Sequence, residues 1–328
     1  MKKIKIAFFS TSRAEFGNMV NLINKLNKNL NFKIFTFLGG AHLVKAYGKT
    51  ISEAKENDIL IKSSFSFFKS SLSDESSLIN QMSVAQNKIS KIFKKYDFDY
   101  VVLFGDRFEL LPIISNVIIF RKKLIHFGGG EITTGSIDNT IRNIISKTAC
   151  LHFVSSNEYK KNLINMGENK DNIFNVGSLS ITKKIKKINY EKKIRIKLKK
   201  FDLKKRFILV SYHSETMDNL KNNIKKLKNI FRCLINQNFN VVVTAPNKEI
   251  YSNHLSKVIL SESKKRDKIF YCASLGSDLF KFLLKKSLMI IGNSSAGIIL
   301  APYFKIPSIN VGNRQLGRII HTSVISSN

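Results

Sequence analysis

Short runs of β-branched and aromatic residues alternate along this chain with longer amphipathic stretches, the arrangement expected of parallel strands joined by crossover helices. The runs predict strands over residues 4–9, 32–38, 100–104, 123–126, 151–154 and 173–176, with helical periodicity over 19–26, 78–93 and 137–147 between them. A second series follows, with strands over 207–211, 240–244, 269–272, 289–291 and 308–311 and helices over 219–237, 277–286 and 297–304. Between residues 181 and 205 charge takes over, in the pairs Lys183-Lys184, Lys192-Lys193, Lys199-Lys200 and Lys204-Lys205, and no long apolar face is evident. The domain boundary is therefore placed at the start of that stretch, giving residues 1–180 and 181–328. The fold class is α/β, with two doubly wound, Rossmann-like domains facing a cleft at the carboxyl ends of their strands, where open parallel sheets bind ligands.

Composition narrows the function. A chain of 328 residues with 43% hydrophobic content can build two cores, yet no apolar run approaches the roughly 20 residues that cross a bilayer. No membrane partner is expected. Cys150, Cys233 and Cys272 are odd in number and scattered, which suggests neither a disulfide framework nor a zinc site and fits the cytoplasm. The formal charge of +32 is spread along the whole chain without a nucleic-acid-binding signature, so it reads as a solvated lysine-rich surface and not as a nucleic-acid site.

The chemistry-bearing motifs fall where strands end. Ser10-Thr11-Ser12-Arg13-Ala14-Glu15 follows the first strand, where a helix N-terminus and the Arg13 fork suit an anion, although a plain N-cap reads equally well. Gly105-Asp106-Arg107-Phe108-Glu109 ends another strand and either projects the Asp106 carboxylate into the crevice or caps the next helix. The glycines of His126-Phe127-Gly128-Gly129-Gly130-Glu131 suggest close approach of backbone to a ligand, with Glu131 beside it. Asp138 and Arg142 follow four apart on one helix face, as a surface ion pair or as part of a proton-exchanging carboxylate cluster with Asp106 and Glu131. In the second half His213 lies just beyond a strand, structural or a donor to phosphate. Gly292-Asn293-Ser294-Ser295-Ala296-Gly297 forms a strand-to-helix phosphate cradle, and Arg314 and Arg318 follow the last predicted strand.

In order and spacing these motifs, with Asn175-Val176-Gly177-Ser178-Leu179, resemble the hydrolysing UDP-N-acetylglucosamine 2-epimerases of the sialic-acid and legionaminic-acid pathways. The resemblance covers essentially the whole chain and implies a GT-B-like fold with UDP held mainly by the second domain. It implies that a UDP-activated N-acetylamino sugar loses its C2 proton and eliminates UDP, and that water then adds at C1 to release the 2-epimer. The expected substrate is UDP-N-acetylglucosamine, giving N-acetylmannosamine; the same reaction on UDP-N,N′-diacetylbacillosamine and UDP-sugar binding without turnover are the alternatives. No metal and no cofactor are implied. By residue, the resemblance assigns proton transfer to Asp106, Glu131, Asp138 and His213, and UDP or substrate contacts to Arg13, Arg142, Ser294, Ser295, Gly297 and Arg314. A homodimer is the expected assembly. Four positions depart from the family: Leu300 stands where a ribose-binding Glu is usual, Gly128 replaces an acidic residue or His, and Ser214 replaces Pro. The fourth is Asn328, beyond which relatives carry further helices, so the resemblance implies a second domain truncated at its C-terminus.

Overall fold

The computed structural model describes residues 2–45, 50–67, 75–181 and 189–327. The chain divides into two compact units, one of Met1–Ile132 with Asp138–Leu179 and one of Thr133–Ile137 with Ser180–Asn328.

The first unit runs β1 (Ile4–Ser10), α1 (Arg13–Asn27), β2 (Phe32–Gly39), α2 (Ser52–Lys55), β3 (Ile61–Phe65), α3 (Glu75–Lys95), β4 (Tyr100–Phe104), α4 (Leu111–Ile119), β5 (Lys123–Phe127), α5 (Asp138–Thr148), β6 (Leu151–Val154), α6 (Asn157–Asn165) and β7 (Ile173–Asn175). Its seven strands are parallel, in the order β3-β2-β1-β4-β5-β6-β7. Strand β1 shows why its sequence is apolar at nearly every position. Successive side chains point to opposite faces, so Ala7 and Phe9 enter one core with Phe37, Phe93 and Phe98 while Ile6 and Phe8 enter another with Phe16 and Met19.

The second unit contains α7 (Tyr190–Lys197), β8 (Phe207–Ser211), α8 (Leu220–Asn236), β9 (Asn240–Thr244), α9 (Ser252–Lys265), β10 (Ile269–Cys272), α10 (Ser277–Lys286), β11 (Ile290–Gly292), α11 (Ser295–Tyr303), β12 (Ser308–Val311) and β13 (Val324–Ser327). Its parallel sheet has the order β10-β9-β8-β11-β12-β13. Strand β8 divides like β1, with Phe207 and Leu209 in one core and Ile208 and Val210 in the other.

The charged stretch after residue 181, expected to lack a long apolar face, carries a short one. Tyr190, Ile194, Leu198 and Phe201 are buried at helical spacing, and Tyr190 stacks on Phe282 with ring centroids 4.2 Å apart. Lys183 and Lys184 lie outside the described residues. Both sheets reverse direction of growth once, between β1 and β4 and between β8 and β11, and these switch points set the place for a ligand in each unit.

Candidate functional site

At the first switch point the turn after β1 is tied down by its own helix. The buried Glu15 carboxylate accepts the Thr11 N–H at 2.7 Å, the Ser12 N–H at 3.3 Å and the Ser10 and Thr11 hydroxyls at 3.1 Å. The amide donors expected to meet an anion are thus partly met from within, and Arg13 stands half-buried at the first position of α1. His42, with no exposed surface, bridges Ser10 Oγ at 3.0 Å and Thr50 Oγ1 at 2.8 Å, and burial pushes its pKa down to about 3. Arg107 grips Glu109 with two bonds of 3.0 and 2.9 Å, both side chains buried. Burial pushes the Glu109 carboxyl up to about 7 against the pull of Arg107, and the neighbouring Glu15 charge adds to the rise. The motifs do not point to this cluster, whose signal in the sequence is the charges embedded in the apolar run from Phe104 to Ile114.

The carboxylates singled out from the sequence meet around Arg142. This side chain on α5 has no exposed surface; it pairs with Asp106 through one guanidinium nitrogen and donates to the Glu131 carbonyl at 2.7 Å through the other. Burial pulls the guanidinium down, but the charges of Asp106, Glu131 and Asp138 outweigh it and raise its pKa. Asp106, Glu131 and Asp138 are half-buried, which leaves each within reach of solvent. The family resemblance assigns Arg142 to a UDP or substrate contact. Its burial and its bonds to Asp106, to the Glu131 carbonyl and to Asn139 Oδ1 at 3.4 Å make it a group that holds Asp106 and the Glu131 backbone.

Two of the glycines are also required by close contacts within the chain. A Cβ on Gly130, whose φ is +77°, would lie 2.2 Å from the Tyr159 carbonyl oxygen, and one on Gly129 would lie 2.8 Å from Ser146 Oγ. Beneath Gly129, fully buried His126 bonds the Gly105 carbonyl at 2.8 Å through Nε2 and Ser146 Oγ at 3.0 Å through Nδ1. A carbonyl only accepts, so Nε2 carries the hydrogen and Nδ1 receives the Ser146 O–H. Burial lowers the ring's pKa to about 4; the Gly105 bond and Asp106 oppose this, while His152 and Arg142 reinforce it.

At the second switch point His213 follows β8 and is clamped by Asn293, which follows β11. The Asn293 amide accepts the His213 N–H at 2.7 Å and donates to the His213 carbonyl at 2.9 Å. The His213 Nδ1 accepts the Asn247 N–H at 3.0 Å, which leaves the ring proton on Nε2 as a donor. Ser294 caps α11 by accepting the Ala296 N–H at 3.3 Å, and Ser294 and Ser295 are half-buried at that helix start. Gly297 packs against β12, where a Cβ would lie 2.7 Å from Ser308 Oγ. Arg314, expected to contact the ligand, is engaged by the chain itself. It is buried, donates to the Ser214 carbonyl at 3.2 Å and pairs with Glu249 at 3.0 Å, so it braces the His213 loop.

Residues 24–328 match the family described as UDP-N-acetylglucosamine 2-epimerase. The chain belongs to this family. Among its relatives is the GDP/UDP-N,N′-diacetylbacillosamine 2-epimerase (hydrolyzing) of Campylobacter jejuni, 35% identical over 100% of this chain and 85% of that protein. Polysialic acid biosynthesis protein P7 of Escherichia coli is 30% identical over 98% of this chain and 82% of its own length. The fold is also that of the Methanocaldococcus jannaschii UDP-GlcNAc 2-epimerase in complex with UDP-GlcNAc and UDP, with a TM-score of 0.78 and 17% identity over 99% of this chain and 89% of that one.

In this 2-epimerase family member, Leu300 is buried in the core of the second unit beside Leu279, Leu283 and Ala301. An acidic side chain in that apolar position would carry a heavy desolvation cost. Among the described residues no helix is long and apolar enough to cross a membrane, and no group of three His, Cys, Asp or Glu could hold a metal ion. Cys150, Cys233 and Cys272 are free thiols.

Proposed function

We propose that this chain is a hydrolysing 2-epimerase of a UDP-activated 2-acetamido sugar. A carboxylate takes the C2 proton, the C1–O bond to UDP breaks with anti geometry to leave a C1=C2 double bond, and UDP departs. Water then gives its oxygen to C1, and a proton returns to C2 on the opposite face, releasing the epimeric free sugar. The observation that carries this reading is the gathering of half-buried Asp106, Glu131 and Asp138 around the Arg142 guanidinium. Proton transfer at carbon needs carboxylates held in place beside the reacting carbon, and the Arg142 guanidinium supplies a fixed cation that pairs with Asp106 and holds the Glu131 carbonyl.

The second unit takes the UDP half in this reading. The Nε2–H of His213 donates to the diphosphate or to the departing oxygen, and Ser294 and Ser295 at the start of α11 hold phosphate oxygens. Arg142 and Arg314 act one step back, as braces for Asp106 and for the His213 loop.

The 35% identity to a relative named for N,N′-diacetylbacillosamine supports that sugar as the substrate. The second reading, UDP-N-acetylglucosamine, is supported by the family description and is the substrate expected from the motifs. Incubating the purified chain with each nucleotide sugar and quantifying free UDP separates the two. Release from the diacetylated sugar alone supports the first, release from UDP-N-acetylglucosamine alone the second, and no release from either rejects the proposal.

A further inference from the structure

His126 is absorbed by neither proton transfer nor UDP binding, yet it is among the most completely committed polar side chains of the first unit. It lies on β5 with no exposed surface, and both ring nitrogens have partners on other elements. Its Nε2–H holds the carbonyl of Gly105, a residue at φ +83° immediately before Asp106. Its Nδ1 is held in turn by Ser146, one helical turn along α5 from Arg142, which grips Asp106 itself. Asp106 is thereby fixed from two sides by one helix, directly through Arg142 and through its preceding peptide by Ser146 and His126. Gly129 fits the same device, because a Cβ there would stand 2.8 Å from Ser146 Oγ and 3.1 Å from His126 Nδ1, against the bond that joins them.

We infer that His126, oriented by Ser146, is a positioning residue that fixes the Asp106 carboxylate for proton transfer, an inference that rests on the 2-epimerase reading. The histidine touches no substrate in this account. Its loss frees the Gly105 peptide, lets Asp106 swing from its place beside Arg142, and slows the proton step without weakening substrate binding.

The test compares wild type with His126→Leu, Ser146→Ala and His126→Gln. His126→Leu removes both bonds, Ser146→Ala only the orienting one, and His126→Gln keeps an N–H directed at the Gly105 carbonyl. With protiated and 2-deuterated UDP-sugar, His126→Leu and Ser146→Ala are expected to lower kcat about 10- to 100-fold, the scale of a misplaced reacting group, with KM nearly unchanged and a larger isotope effect on kcat/KM. His126→Gln is expected to recover most of the loss. A merely structural role would reduce the folded fraction and leave the isotope effect per active site unchanged, and that result overturns the inference. A wild type that releases no UDP rejects the 2-epimerase reading separately. The geometric inference is then decided by the Arg142 side-chain N–H signals in 15N NMR, which the Asp106 pair slows in solvent exchange. Fast exchange in both His126→Leu and Ser146→Ala upholds it, and slow exchange in both overturns it.

Discussion

Acid should destabilise the first unit through His42, and the size of the effect follows from its burial. The imidazole lies between Ser10 Oγ and Thr50 Oγ1 with no exposed surface, and its pKa is about 3 against 6.5 for the free side chain. The unfolded chain takes a proton that the folded chain refuses. The contribution of neutral His42 is therefore complete above pH 6.5 and is lost as the pH falls toward 3. Each unit of pH in that window costs about 1.4 kcal/mol, so lowering the pH from 6.5 to 5 costs about 2 kcal/mol. Glu109 works in the opposite sense. Its carboxyl is raised from 4.5 to about 7, so its stabilising share is present below 4.5 and is lost as pH rises through 7. The wild-type profile mixes these terms, and the informative quantity is the gap between wild type and His42→Gln, which cannot titrate in this range. Urea unfolding followed by far-UV circular dichroism at pH 8, 6.5 and 5 should show the variant less stable at pH 8, where it leaves Ser10 and Thr50 poorly partnered. The gap should then narrow by about 2 kcal/mol between pH 6.5 and 5. A gap that stays constant with pH would refute the reasoning, because His42 would then hold its proton equally well in both states.

Three further outcomes are expected. Asp106→Asn, Glu131→Gln and Asp138→Asn should each lower kcat by about 100-fold or more while UDP binding by isothermal titration calorimetry stays near wild type. Asn293→Ala removes both bonds that clamp the His213 backbone, and UDP affinity should fall about tenfold, measured by the same calorimetry. Gly129→Ala forces a methyl group against Ser146 and His126 and should cost about 1–3 kcal/mol in urea unfolding.

The alternation of apolar runs and amphipathic stretches made the two parallel sheets legible because their central strands are buried on both faces. What escaped is where that rule weakens. Strand β3, Ile-Lys-Ser-Ser-Phe, is an edge strand with three polar residues, and β13 is a second edge with three of its four residues exposed. Helix α4, Leu-Pro-Ile-Ile-Ser-Asn-Val-Ile-Ile, is apolar on nearly every side and carries no helical period to read. Helix α7 hides a buried stripe of one residue per turn among lysines.

The candidate site was legible as a set of strand-end motifs, in which Arg142 bonds Asp106 and the Glu131 carbonyl. Which charges face inward was not legible. Arg142 and Arg314 look like ligand-binding arginines in sequence, and only tertiary packing commits them to Asp106 and to Glu249. The glycine run looked like a ligand approach, while its close contacts are with Ser146, His126 and Tyr159, all distant in sequence or on another element.

The central claim is that the reaction passes through loss of the C2 proton, and one measurement reads that step directly. Proton NMR of the purified chain with UDP-N,N′-diacetylbacillosamine and with UDP-N-acetylglucosamine in heavy water follows free UDP, the configuration of the released sugar and deuterium at its C2. The account predicts UDP together with a free 2-epimeric sugar carrying deuterium at C2. Release of a sugar with its original configuration and a protonated C2 would be simple hydrolysis and would contradict it.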